Sequence, residues 1–395
     1  MQKPPFRGRR PVPYVPAVFG ELTAEQFLER HWQQRPLLMP GALPGFRSPL
    51  SADELAGLAC EPEVESRLVL GSRETTWQLE HGPFEEQRFR NLPERDWTLL
   101  VQDVDKWLPE FAPLLEPFRC IPDWRIDDIM VSFAAPGGSV GPHTDQYDVF
   151  LLQAQGRRRW QLSEQFDASL QPDVDLKILQ NFKAEQEVVV EPGDILYLPP
   201  GVAHFGVALD ECLTFSIGFR APDQRELVLA LAEELVERAT SARFSDAKRR
   251  AVADPSLIDA ADLQALRELI RSGLALDDRE LDRFLGRYLT RSKPNLQADA
   301  RPNDARLVKR RLARGDSLVK RLGARFAHLL EPDGICFFAD GHERRLALAH
   351  AEWLVPLARG MHFDAAQLER HPEALPELLT LLGHGSLDWH KPGRS

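Results

Sequence analysis

Cysteine is scarce in this chain. Cys60, Cys120, Cys212 and Cys336 are widely scattered through 395 residues, with no C-x-x-C pair. Neither a disulfide framework nor a thiolate zinc site is expected from that usage. Long apolar runs are also missing: none approaches the ~20 residues that a membrane helix requires. The opening MQKPPFRGRRPVP has no apolar core of the secretory kind. These absences predict a cytoplasmic protein without a membrane span. Positive charge is in deficit, with 49 Lys and Arg against 60 Asp and Glu and a net charge of −11. That balance argues against direct nucleic-acid binding and suits a basic protein or peptide partner. Internal repeats and low-complexity tracts are absent.

At 43% hydrophobic and 28% charged residues, the chain is long enough for two or three domains with buried cores. Its chemistry concentrates in GPHTDQYDVFLLQAQGRRRWQL and, further on, in EPGDILYLPPGVAHFGVAL. His143 and Asp145 stand at i and i+2, so on a strand both point to one face. His204 follows a buried-strand pattern (Ile195 to Leu198) and a Pro-Pro-Gly turn. If folding brings it beside the pair, two imidazoles and one carboxylate occupy one face of an ion and leave the other open. Non-haem Fe(II) oxygenases use that arrangement. An isolated H-x-D among 11 histidines is weak, and its bland reading is a turn histidine beside a turn aspartate. The β-rich run after the pair, the strand before His204 and the triplet Arg157-Arg158-Arg159 favour the metal. A 2-oxoglutarate-using enzyme needs a cation to hold the distal carboxylate of its cosubstrate. Strand parity selects Arg158, which shares a face with Trp160 and Leu162, and leaves Arg157 and Arg159 for surface ion pairs.

Along the chain, residues 1–20 read as an extended leader. Capping boxes at Thr23–Gln26 and Ser51–Glu54 open two helices. Residues 67–79 read as a strand pair about Gly71-Ser72, and 96–107 as a helix with Leu100, Val104 and Leu108 at helical spacing. From Ile126 to Phe219, short β runs punctuated by Pro and Gly turns predict an antiparallel sandwich or jelly roll. Helical patterns follow at 222–240, 255–272 and 277–290, their apolar stripes suited to a second copy or to packing on the barrel. After a linker at 292–304 comes a basic stretch, with nine Lys or Arg against two Asp over 301–325. A hairpin with Asp340-Gly341 at its tip and further helical pieces around 363–368 and 375–382 suggest a winged-helix-like module. Its basic content reads as a solvated face.

These motifs, together with FLERHWQQRPLLMPGAL before them, resemble the bacterial JmjC-type (cupin-like) ribosomal oxygenases. Within them, the likeness is to the branch that hydroxylates an arginine of ribosomal protein sixteen of the large subunit. It is strong over about residues 15–220, and the order of the later domains also agrees. The resemblance implies an α+β chain in three parts. A double-stranded β-helix catalytic domain spans 1–220, a helical dimerisation block 221–293, and a winged-helix-like domain 294–395. It implies an Fe(II)- and 2-oxoglutarate-dependent dioxygenase consuming O2, with His143, Asp145 and His204 as metal ligands. It also implies Arg158 and Ser132 as cosubstrate contacts, a homodimer, and hydroxylation at an arginine β-carbon of a large-subunit ribosomal protein.

Three classes of function stay open at this level: arginine hydroxylation, the same chemistry on a histidine or N-methyl-lysine, and a non-catalytic cupin-like binding module. A guanidinium substrate needs acceptors near the metal. Asp148, beside Gln146 and Tyr147, reads either as that acceptor or as a strand-edge carboxylate bonded to the outer arginines.

Overall fold

The computed structural model describes residues 18–172, 174–247, 249–251, 256, 258–296 and 304–391. Most of the expected leader and of the 292–304 linker lies outside them. The first strands are β1 (Leu37–Met39), β2 (Ser66–Leu70), β3 (Gln78–His81), β4 (Trp97–Val101), β5 (Ile126–Ala134) and β6 (His143–Thr144). They are followed by β7 (Asp148–Gln155), β8 (Arg158–Ser163), β9 (Gln186–Val190), β10 (Ile195–Leu198), β11 (Ala203–Ala208) and β12 (Cys212–Phe219). One sheet has the order β1-β10-β7-β12-β5-β4-β2-β3 and a second the order β6-β11-β8-β9. Each ladder is antiparallel. This is the expected jelly roll.

Period-two alternation sorts the side chains. On β7, Phe150, Leu152 and Ala154 enter one core with Phe27, Phe118 and Phe215, while Val149 and Leu151 pack with Trp160 and Leu162 in another. Strand β7 is therefore buried on both faces, as a near-continuous apolar run demands. On β8 the parity holds: Arg158, Trp160 and Leu162 are buried, and Arg159 and Gln161 only partly so. Helices α1 (Ala24–Arg30) and α2 (Ala52–Leu58) carry the two capping boxes, and α3 is Glu86–Arg90.

The helix expected over 96–107 is mostly strand. Trp97–Val101 pairs with β2 on one side and β5 on the other, and only α4 (Val104–Trp107) is helical. Leu100 and Val104 do have helical spacing. Two flanking ladders outweigh that local preference, and Asp103, at φ 57°, breaks the chain direction between strand and helix.

By internal contacts the chain divides into two compact units, one of Met1–Ala221, Ser292–Arg325 and Glu352–Ser395, the other of Pro222–Arg291 and Phe326–Ala351. Residues 294–395 thus contribute to both units, in contrast to the single C-terminal block expected. The second unit holds α5 (Gln224–Arg238), α6 (Ala260–Gly273) and α7 (Asp278–Thr290), with Asp223, Asp259 and Asp277 as their N-caps. It also holds a three-stranded sheet of β14 (Phe326–Glu331), β15 (Gly334–Ala339) and β16 (His342–Leu346). The β15–β16 turn is the Asp340-Gly341 hairpin, both residues at positive φ. This sheet joins α7 for physical reasons. The Phe338 ring occupies the space that a β-carbon on Gly286 would take, and Arg283 binds Glu331 at 3.0 Å. The first unit retains α8 (Ala305–Ala313), the β13 (Ser317–Lys320) to β17 (Leu387–His390) ladder, α9 (Ala351–Ala358) from residue 352 on, α10 (Ala365–Arg370) and α11 (Leu375–Gly383).

Candidate active site and metal centre

Strands β6 and β11 pair so that His143 and His204 stand directly opposite each other. Their ring centroids lie 4.2 Å apart. Asp145 comes just after β6, and its backbone carbonyl accepts from Gly201 N–H at 2.8 Å, so the turn leading to His204 also braces the carboxylate. Asp145 Oδ2 is 3.9 Å from His143 Nε2 and 3.6 Å from His204 Nε2. The three donor atoms fall within 4.8 Å of one another. The rings are oriented from behind, His143 Nδ1 lying 2.9 Å from Gly141 O and His204 Nδ1 3.0 Å from Val202 O. A backbone acceptor at Nδ1 places the proton there and presents Nε2 as the free donor, which is how metal-binding histidines are held. Burial, followed by His143, depresses His204 to about 4, with Asp145 opposing. The neutral imidazole that a cation requires is thereby favoured. This donor set fits Fe(II), and its open side is a cavity of about 420 Å³ lined by Arg67, Ser132, Tyr147, Arg158 and Trp160 among others.

Arg158 is 5% exposed. Its Nη1 donates to Thr214 Oγ1 at 3.3 Å and, at the 3.5 Å limit, to Ser132 Oγ, while Nε meets no acceptor among the described residues. Hydroxyls alone do not neutralise a buried guanidinium, so the cavity is prepared for an anion. Thr214 in turn donates to Gln153 Oε1 at 3.0 Å. The outer arginines diverge from the reading given above. Arg157 forms the expected surface pair with Asp210 at 3.0 Å, whereas Arg159 forms none among the described residues.

Asp148 does not face the cavity and does not bond the outer arginines. It is fully buried and accepts from Tyr197 Oη at 2.7 Å, Gln33 Nε2 at 3.0 Å and Arg125 Nη2 at 3.0 Å. Its parity on β7 turns it into the core beside Phe150, away from Val149. Sequence reasoning missed Arg67, Gln102, Asp128 and Thr214. With the Gln102 amide oriented to suit both neighbours, it accepts from Arg67 Nη2 at 2.8 Å and donates to Asp128 Oδ2 at 3.1 Å. Burial pushes Asp128 up to about 7, with Lys293 opposing and Asp127, Asp103 and Asp105 adding to the rise. Asp128 shares strand parity with the cavity-lining Met130 and Ser132. Period-two reading back from Ser132 was the signal available for it.

Residues 113–227 match the JmjC domain family and residues 265–388 the ROXA-like winged helix. The latter match begins inside α6. Among curated proteins, the ribosomal protein uL16 3-hydroxylase of Escherichia coli K12 is 43% identical over 272 residues, covering 68% of this chain and 72% of that protein. A probable ribosomal oxygenase of Haemophilus influenzae is 42% identical over 210 residues, 52% of each. Among solved structures, E. coli YcfD superposes with a TM-score of 0.79 at 37% identity, over 94% of this chain and 99% of that one. A YcfD complex with cobalt and 2-oxoglutarate gives 0.78 at 37% identity, over 94% and 99%.

Proposed function

The chain belongs to the JmjC-type ribosomal oxygenases, and we propose that it hydroxylates the β-carbon of an arginine in the large-subunit ribosomal protein uL16. The reading rests on one juxtaposition: the open His143, Asp145 and His204 cluster shares a cavity with Arg158, a buried cation lacking a carboxylate partner among the described residues. Fe(II), with 2-oxoglutarate and O2, supplies the oxidising power for inserting oxygen into an unactivated C–H bond, leaving succinate and CO2. The protein's own part is positioning and exclusion of water. His143 and His204 offer Nε2, Asp145 a carboxylate oxygen, and the carbonyls of Gly141 and Val202 keep both rings aimed. Arg158, with Ser132 and Thr214 beside it, takes the distal carboxylate of the cosubstrate by charge-assisted hydrogen bonds.

An arginine substrate agrees with the acidic balance of the chain, 60 Asp and Glu against 49 Lys and Arg. The enzyme's negative charge speeds its encounter with a basic protein. Exposed Val228, Leu229 and Val236 on α5, with Leu263, Leu266, Ile270 and Leu274 on or just after α6, provide an apolar surface suited to a homodimer. A cytoplasmic setting accords with the four free cysteines. No helix among the described residues is long and apolar enough to cross a membrane.

Mass spectrometry of ribosomal proteins from a deletion strain tests the assignment. The arginine peptide of uL16 should lose the mass of one oxygen. An unchanged arginine peptide beside a changed histidine peptide would transfer the function to histidine.

A further inference from the structure

The β8–β11 ladder spaces the two poles of this site by a fixed number of rungs. His204 pairs with Leu162, Gly206 with Trp160, and Ala208 with Arg158. Same-face residues recur every second position, so the metal rung and the anchor rung are separated by a single inward-facing rung, Trp160 opposite Gly206. Across it the strand advances ~13 Å from residue 158 to residue 162, with His204 at one end and Arg158 at the other. The indole bridges them. Its ring centroid lies 5.8 Å from that of His204, and the Arg158 guanidinium carbon is 5.4 Å from the indole centroid.

The opposing glycine makes this placement possible. Ring atoms of Trp160 lie 2.5 to 2.8 Å from where a β-carbon on residue 206 would be, so the indole lies flat over the Gly206 backbone. Trp160 is 5% exposed and lines the cavity, and its Nε1–H meets no acceptor among the described residues. A buried indole donor is normally satisfied. With no hydrogen bond of its own among the described residues, the indole is held by its close fit on Gly206 and by burial.

We propose that Trp160, seated on Gly206, is the specificity-determining floor of the cosubstrate slot and restricts the enzyme to a keto acid with two methylenes between its keto and distal carboxylate carbons. A longer acid held at both fixed poles must bow, and the indole occupies the space into which it would bow. This inference rests on the assignment of Arg158 as the carboxylate anchor.

The test is calorimetric titration of 2-oxoglutarate and of 2-oxoadipate, one methylene longer, into the Mn(II)-loaded protein. Trp160→Leu enlarges the slot and should shift the affinity ratio towards 2-oxoadipate by about tenfold or more, the scale of one methylene in a fitted pocket. Gly206→Ala drives the indole into the slot and should weaken 2-oxoglutarate by about tenfold, with Mn(II) affinity unchanged. Each variant reads independently should the other fail to fold. If Arg158→Ala weakens 2-oxoglutarate while Trp160→Leu leaves the ratio unmoved and Gly206→Ala leaves the affinity unmoved, the floor role is overturned and the anchor stands. If Arg158→Ala leaves 2-oxoglutarate affinity intact, the anchor assignment fails and takes this inference with it.

Discussion

Arg158 and Asp148 are both buried charges on barrel strands, one in each sheet, and the fold surrounds them in opposite ways. Asp148 on β7 is enclosed by three donors, Tyr197, Gln33 and Arg125, with the Arg125 guanidinium 5.2 Å from the Trp32 ring centroid. Arg158 on β8 has the hydroxyls of Ser132 and Thr214 and no carboxylate among the described residues. A buried charge whose partners are all protein belongs to the architecture. One left with neutral partners is a candidate to take an anionic ligand. Asp148 follows Asp145 by three residues, so nearness to a motif does not distinguish the cases. Completeness of the partner set does.

That contrast can be broken most forcefully at Asp148. Replacing it by alanine strands the Arg125 cation and should cost about 3–5 kcal/mol in denaturant unfolding; a loss below about 1 kcal/mol would erase the distinction. Arg158→Ala should act the other way. Unfolding stability should stay within about 1 kcal/mol of the parent, while the KM for 2-oxoglutarate rises about tenfold to a hundredfold. Fe(II) binding, read from the anaerobic charge-transfer band, should persist. An unaltered KM would move the anchor to another cation.

Asp128 sharpens the comparison through pH. Its folded value, near 7, lies above the ordinary carboxylate value of 3.8. Its protonated form therefore contributes stability that is complete below about pH 4 and is lost as pH rises through 7. Asp128→Asn should remove that loss, so the variant gains on the parent between pH 5 and 8 in thermal unfolding. A constant difference across that range would mean Asp128 titrates normally. The smallest effect belongs to Arg157, whose pair with Asp210 is half exposed. Arg157→Ala should change stability by only about 0.2–1 kcal/mol, measured in the same denaturant series.

Much of this could be read in advance, and where it could not the reason is physical. Period-two alternation on β8 singled out Arg158 because face assignment needs only one strand. The same parity rule puts Asp148 on the Phe150 face of β7, although its closeness to Asp145 in sequence suggests the site. Arg67 on β2, Gln102 just after β4 and Thr214 on β12 sit in stretches with no motif of their own, and only the lateral order of the sheet brings the first two to the cavity and Thr214 to Arg158. Leu100, Val104 and Leu108 have helical spacing, yet residues 97–101 are taken by two neighbouring strands whose ladders no local window reveals. The division by contacts cuts across residues 294–395 for a similar reason, since Gly286 and Phe338 meet across 52 positions of sequence.

By itself the sequence determined which side chains are the candidate metal donors, the inward turn of Arg158 and Trp160, and the caps that begin the helices, because these depend on residue type and on periods of two or a few residues. Tertiary structure alone decided that His204 lies opposite His143, that Asp148 is enclosed rather than offered, and that Thr214 lies beside Arg158. Each of those depends on which strands become neighbours, and strand order is set by burial of the whole sheet rather than by any local stretch.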